Sequence, residues 1–147
     1  MTLAHPQFTL DSKGRPIRFA CLSAERAEFN STTNHRRTDA LRAKMDAVGL
    51  TWTATEGMWE GRREASYLVL IPRDSDLDAT IELAVAYEQS AVLVIDEDGA
   101  ARTVDPRTHE ATPIGTWRRV TPANHHHSSG WTRLGPDYYS VDGENSK

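Results

Sequence analysis

The sequence predicts an α+β fold, a ferredoxin-like βαββαβ sandwich with two helices on one face of an antiparallel sheet. Three observations carry that expectation. The elements alternate strand, helix, strand, strand, helix, strand as far as residue 104. Two of the strands, at 17–23 and 65–71, are apolar on both sides, as central strands are. The two helical segments each repeat apolar residues at helical spacing.

Residues 1–16 hold Pro6, Pro16 and an Asp-Ser-Lys-Gly turn, and read as a loose arm. In 17–23, Ile17, Phe19 and Cys21 alternate with Ala20 and Leu22. The polar, cap-rich 24–34 then leads into a helix over 34–48, where Leu41, Met45 and Val48 recur and Gly49 supplies the stop. Residues 50–56 alternate threonine with Trp52 and Ala54, a strand with one polar face. A turn over 57–63 follows, then the apolar run ASYLVLI at 65–71, closed by Pro72. Ser75 and Asp78 form a capping pair for a second helix with Leu77, Ile81, Ala84 and Val85 as its core stripe, ending near Gln89. AVLVI at 91–95 is the fourth strand, and the turn at 96–99 opens a hairpin into 101–104.

Beyond Asp105 the expectation is an irregular extension, 105–147, with one short strand at 116–120. Its aromatic residues Trp131, Tyr138 and Tyr139 require docking, and only the last few residues look free. The plan is one domain: arm 1–16, core 17–104, extension 105–147. Both helices cover the same sheet face, so the second face needs the extension, another subunit, or both.

The 147 residues suffice to bury about two-thirds of the unfolded surface. With 17 Lys+Arg against 21 Asp+Glu, interspersed, the net charge of −4 excludes a nucleic-acid binder and an acidic DNA mimic. No apolar run is long enough to span a bilayer and no targeting pattern opens the chain, so a soluble, cytoplasmic protein without membrane or nucleic-acid partners is expected. One cysteine, Cys21, allows no internal disulfide, and mid-strand its thiolate would be desolvated. The run His125, His126, His127 reads as a solvated loop, because metal sites gather ligands from separated positions; no metal is expected. There is no G-x-S-x-G, P-loop or G-x-G-x-x-G motif.

Two spots concentrate chemistry. In GMWEGRREAS, 57–66, Trp59 is a packing anchor or a ligand contact, and Glu60, Arg62 and Arg63 read first as a solvated tip. Glu64 differs: it directly precedes an apolar strand, where burial is costly unless a partner or ligand satisfies it. In FNSTTNHRR, 29–37, Asn30, Ser31, Thr32 and Asn34 crowd a helix start, equally suited to capping and to binding a carboxylate on free N–H groups.

The order of several short motifs resembles the small S-adenosylmethionine-degrading lyases of bacteriophages. The motifs are Leu22-Ser23-Ala24 at the end of the first strand; RTDALRAKM; Trp59 and Glu64 before the third strand; Glu88-Gln89 followed by AVLV; Gly115-Thr116-Trp117 with Val120; Gly130-Trp131-Thr132; and Tyr139-Ser140-Val141. The resemblance implies a homotrimer of ferredoxin-like subunits, distantly similar to PII signalling proteins, and two-sided apolar strands add to that expectation. It implies S-adenosylmethionine bound between subunits with no cofactor, cleaved to methylthioadenosine and homoserine lactone. That would deplete the methyl donor needed by host restriction and methylation systems. The family's tyrosine and glutamate fall on Trp59 and Glu64 as the catalytic pair, with Ser23, Asn30, Ser31, Thr32, Asn34 and Glu60 as substrate-binding positions. A shorter loop makes Glu60 the alternative to Glu64. Trp59 in place of tyrosine favours a second reading, a non-catalytic PII-like module that sequesters S-adenosylmethionine or an adenine nucleotide, because an indole stacks on adenine but lacks the phenolic hydroxyl.

Overall fold

A computed structural model describes residues 5–59, 61–121 and 130–142, with Trp59 described in its backbone alone. Strand β1 is Phe19–Leu22, helix α1 Ser31–Ala47, β2 Trp52–Trp59, β3 Arg62–Leu70, α2 Asp74–Ala86, β4 Val92–Ile95 and β5 Ala100–Val104. Then come β6 Ala111–Val120, β7 Gly130–Leu134 and β8 Asp137–Asp142.

The strands close into a barrel in the order β1-β3-β2-β7-β8-β6-β5-β4, every pair antiparallel and β4 returning to β1. The open ferredoxin-like, PII-like sandwich is therefore not what forms. The reason lies in the segment read as an irregular extension. Residues 111–142 supply three strands, and these cover the second apolar face of β1, β3 and β4 from within the same chain.

Strand alternation sorts the core into two clusters. Ala20, Leu22, Tyr67, Val69, Val92 and Val94 face outward against Leu41 and Met45 of α1 and Ile81 and Ala84 of α2. Phe19, Leu68, Ile95, Ala101, Trp117 and Tyr139 fill the barrel. Trp117 stacks on Tyr139 with ring centroids 5.4 Å apart and takes Phe19 edge-on at 5.3 Å. The arm is not loose over its described part. His5 and Thr9 are buried, and the His5 ring meets Phe19 edge-on at 5.9 Å, with Nε2 3.1 Å from the Asp96 carbonyl.

Local chemistry explains the ends. Asn30 caps α1 by accepting the Thr33 N–H at 2.8 Å, and the helix closes with the Leu50 N–H donating to the Met45 carbonyl over Gly49 at φ +80°. The cap of α2 is Arg73 with Asp76, not the expected Ser75 and Asp78: the Asp76 carboxylate accepts the Arg73 N–H at 3.2 Å and its guanidinium at 3.1 Å. Val85, expected in the core, is exposed, because Leu83 and Ala84 hold the buried stripe. Pro113 sits in β6 where the register slips: Ala101 faces Gly115 and Arg102 faces Pro113, so one extra residue bulges beside the proline, the kind of position at which a strand tolerates one. The β2–β3 hairpin runs to a two-residue connection, with Trp59 opposite Arg62 and Gly61 at φ +78°. The turn expected over 57–63 is thus mostly paired strand.

Candidate functional site

Loop 23–30, the first turns of α1 and the start of β3 enclose a cleft of about 370 Å³. The loop contributes Glu25, Ala27 and Phe29, the helix Ser31, Asn34, His35 and Thr38, and the strand Arg62 and Ala65.

The loop is shaped by side chains spent on its own backbone. Ser23, buried at the end of β1, donates to the Ala65 carbonyl at 2.8 Å and accepts the Glu25 N–H at 3.1 Å. Asn34 is also buried: its Oδ1 accepts the Arg26 N–H at 2.9 Å, and its Nδ2 donates to the carbonyls of Arg26 at 3.0 Å and Phe29 at 3.3 Å. Glu25 reaches across to β3, where its carboxylate accepts the Ala65 N–H at 2.9 Å.

The electrostatic centre is Arg62. Its Nη1 donates to Glu64 at 3.1 Å, and its Nη2 to Glu25 at 3.4 Å and to the Arg26 carbonyl at 3.4 Å. Two carboxylates thus share one guanidinium, leaving this corner net negative and suited to a cationic ligand. Burial pushes the Glu64 carboxyl above its ordinary value and Glu25 adds to that, while Arg62 pulls it back. Ser31 also lines the cleft, and the first-turn N–H groups of Ser31 and Thr32 lack intrahelical acceptors, as in any helix, and favour an anion. His35 pairs with Asp39 at 3.4 Å on the exposed side of α1.

Of the residues singled out in the sequence, Ser31 and Asn34 line the cleft; Ser23 lies behind it, Asn30 serves as the helix cap and Thr32 is exposed in the first turn. Glu64 is absent from the cleft wall and joins it through Arg62. It lies on the strand face that carries Leu68 into the barrel interior, opposite Gly57. Trp59 is placed by its backbone at the hairpin end, while Glu60 and His125–His127 fall outside the described residues. Arg63 is, as expected, on the exposed face, paired with Glu56 at 3.5 Å and lying over the Trp131 ring at 5.7 Å. Arg62 is not a solvated tip. Sequence reasoning missed Arg62, Glu25 and Phe29. The segment AERAEF reads only as polar, and nothing in its spacing reveals that residue 25 meets residues 62–65 once β1 pairs with β3.

No curated protein matches the chain. The model of the S-adenosylmethionine lyase family matches residues 20–142, a span that takes in loop 23–30, α1 and all but the first residue of the barrel strands. Since that match covers most of the sequence in one piece, the chain belongs to the S-adenosylmethionine lyase family and is an enzyme of that activity.

Proposed function

We propose that the cleft folds S-adenosylmethionine for self-cleavage. The substrate's carboxylate oxygen attacks its own γ-carbon, the carbon–sulfur bond breaks, and the electron pair leaves on sulfur. The products are homoserine lactone and methylthioadenosine. Atoms and charges balance without a cofactor: no electron is exchanged, no group is added, and carboxylate and sulfonium charges cancel. A desolvated pocket that bends the chain favours such a step.

The observation that carries this reading is the Glu25–Arg62–Glu64 cluster together with the first turn of α1, where the Asn30 cap takes the Thr33 N–H and leaves those of Ser31 and Thr32. It offers negative charge to the substrate's ammonium group, whose charge persists through the step, and N–H donors that orient one carboxylate oxygen while the other attacks, with Phe29 as the apolar wall for the adenosyl group. At an effective dielectric of about 20, unit charges about 4 Å apart interact by about 4 kcal/mol before desolvation is counted. Holding the sulfonium itself would stabilise the ground state and slow the reaction, so Glu64 orients, acting with Arg62. Trp59, opposite Arg62 in register, stands at the hairpin end beside this cluster.

The test is purified protein incubated with S-adenosylmethionine and followed by chromatography. Equal amounts of methylthioadenosine and homoserine lactone are expected, whereas stoichiometric recovery of intact ligand from a tight complex would select the sequestering module. Glu64→Gln is expected to lower turnover by about a hundredfold or more, as when a positioning contact in a closed site is lost. Inactivation by Glu60→Gln instead would move the role to Glu60.

In a cell, turnover would withdraw the methyl donor from host restriction and methylation. The assembly we propose is a homotrimer with the cleft at subunit contacts. Its support is the family likeness alone, since β6, β7 and β8 satisfy the two-sided strands that had argued for a partner. Light scattering at micromolar concentration should give three times the 16.4 kDa chain mass, and a monomer mass would refute the trimer.

A further inference from the structure

Two direct hydrogen bonds tie loop 23–30 to residues 87–89, just past the end of α2, and Arg37 of α1 bridges the same two segments. The Arg37 Nε donates to the Ala24 carbonyl at 2.7 Å and its Nη2 to the Tyr87 carbonyl at 2.6 Å. Arg26 donates to the Glu88 carbonyl, and Gln89 Nε2 to the Glu25 carbonyl at 3.3 Å. The Arg37 guanidinium also lies over the Phe29 ring, 4.9 Å from its centroid, and over Tyr87 at 5.4 Å. Its third nitrogen is 3.6 Å from the Glu88 carboxylate. Glu88 itself has φ +59°, the left-handed position that ends a helix and that glycine usually occupies. A backbone in that region persists where its surroundings over-determine it.

We propose that Arg37 is a positioning residue for the cleft: it clasps loop 23–30 to α2 and so fixes Phe29, the wall assigned to the adenosyl group. The assignment deepens the function proposed above and rests on it. A planar guanidinium serves two carbonyls and two ring faces at once, whereas an ammonium on a flexible stem cannot. Arg37 acts on the cleft through Phe29, because Glu25 is held separately by the Ala65 N–H and by Arg62, so the loss of Arg37 acts on binding rather than on bond breaking.

The experiment is Arg37→Lys in the wild-type and Phe29→Leu backgrounds, read by steady-state kinetics with S-adenosylmethionine and by hydrogen exchange. In the wild-type background KM should rise at least about tenfold with kcat held within about threefold. In the Phe29→Leu background the rise should shrink below about threefold, because the two residues act in series. Amides of residues 24–30 should exchange at least about tenfold faster while those of β3 keep their rates. An unchanged KM, an equal effect in both backgrounds, or unchanged exchange overturns the proposal. Wild-type protein without turnover defeats the reaction assigned to the cleft instead, and the exchange rates then decide the clasp.

Discussion

Three influences compete on the carboxyl group of Glu64. Burial and the neighbouring Glu25 push its titration up, and Arg62 pulls it down, with burial the largest. Folding therefore favours the protonated form. The stability this group contributes is fully present below its ordinary value of 4.5 and is lost as pH rises through the raised folded value. Glu64→Gln, which keeps the shape and removes the buried charge, should leave Tm at pH 7 unchanged or raised, with the gap closing as pH falls toward 4; scanning calorimetry at both pH values measures it. A Tm lowered at pH 7 would mean that the ion pair with Arg62 outweighs the burial. Cys21 offers a second residue-scale check. Its thiol packs against the barrel-filling cluster, and burial pushes it up to about 12 against a weaker opposing bond from Thr132. A thiol reagent at pH 8 should therefore label native Cys21 far more slowly than the unfolded chain, and stoichiometric labelling within seconds would contradict that desolvation.

The hairpin of β2 and β3 places Arg62 and Glu64, and its tip depends on Gly61. A Cβ there would meet open space, so Gly61→Ala costs only the left-handed backbone, about 1 kcal/mol, read as a lower urea midpoint with an unchanged slope. Asn30→Ala should cost a similar amount, about 1 kcal/mol, by removing the bond to the Thr33 N–H at the start of α1. Elements with strong periodicity were legible in the sequence: β1, β3 and β4 announce themselves as apolar runs, and α1 by Leu41 and Met45 with Gly49 behind them. Strand β6 was not. Pro113 and Gly115 mark a break by their local preferences, yet the bulge opposite Ala101 and Arg102 accommodates them inside a ten-residue strand. The candidate site was legible in part for the same reason. Asn30, Ser31 and Asn34 stand out because caps have a local signature, whereas the Glu25–Arg62 contact exists only after β1 and β3 find their register.

At the scale of the whole molecule, the second core belongs to neither half of the chain. Phe19, Leu68 and Ile95 come from the first part and Trp117 and Tyr139 from the last. A chain ending at Asp105 would leave those first three side chains uncovered, so it should show no cooperative melt by circular dichroism. A sharp transition in that fragment would mean that the first part of the chain holds its core without β6, β7 and β8. Trp117→Ala in the full chain should cost about 3–5 kcal/mol in urea unfolding. The closed strand order has one more consequence. Among the described residues each strand has a neighbour on both sides over part of its length, so no whole strand is left as a free edge for another chain to extend. The usual route to runaway sheet growth is narrowed to short one-sided stretches such as 52–55 and 111–115, and subunits that meet do so chiefly through side-chain faces, where complementary shape and charge can stop assembly at a fixed number.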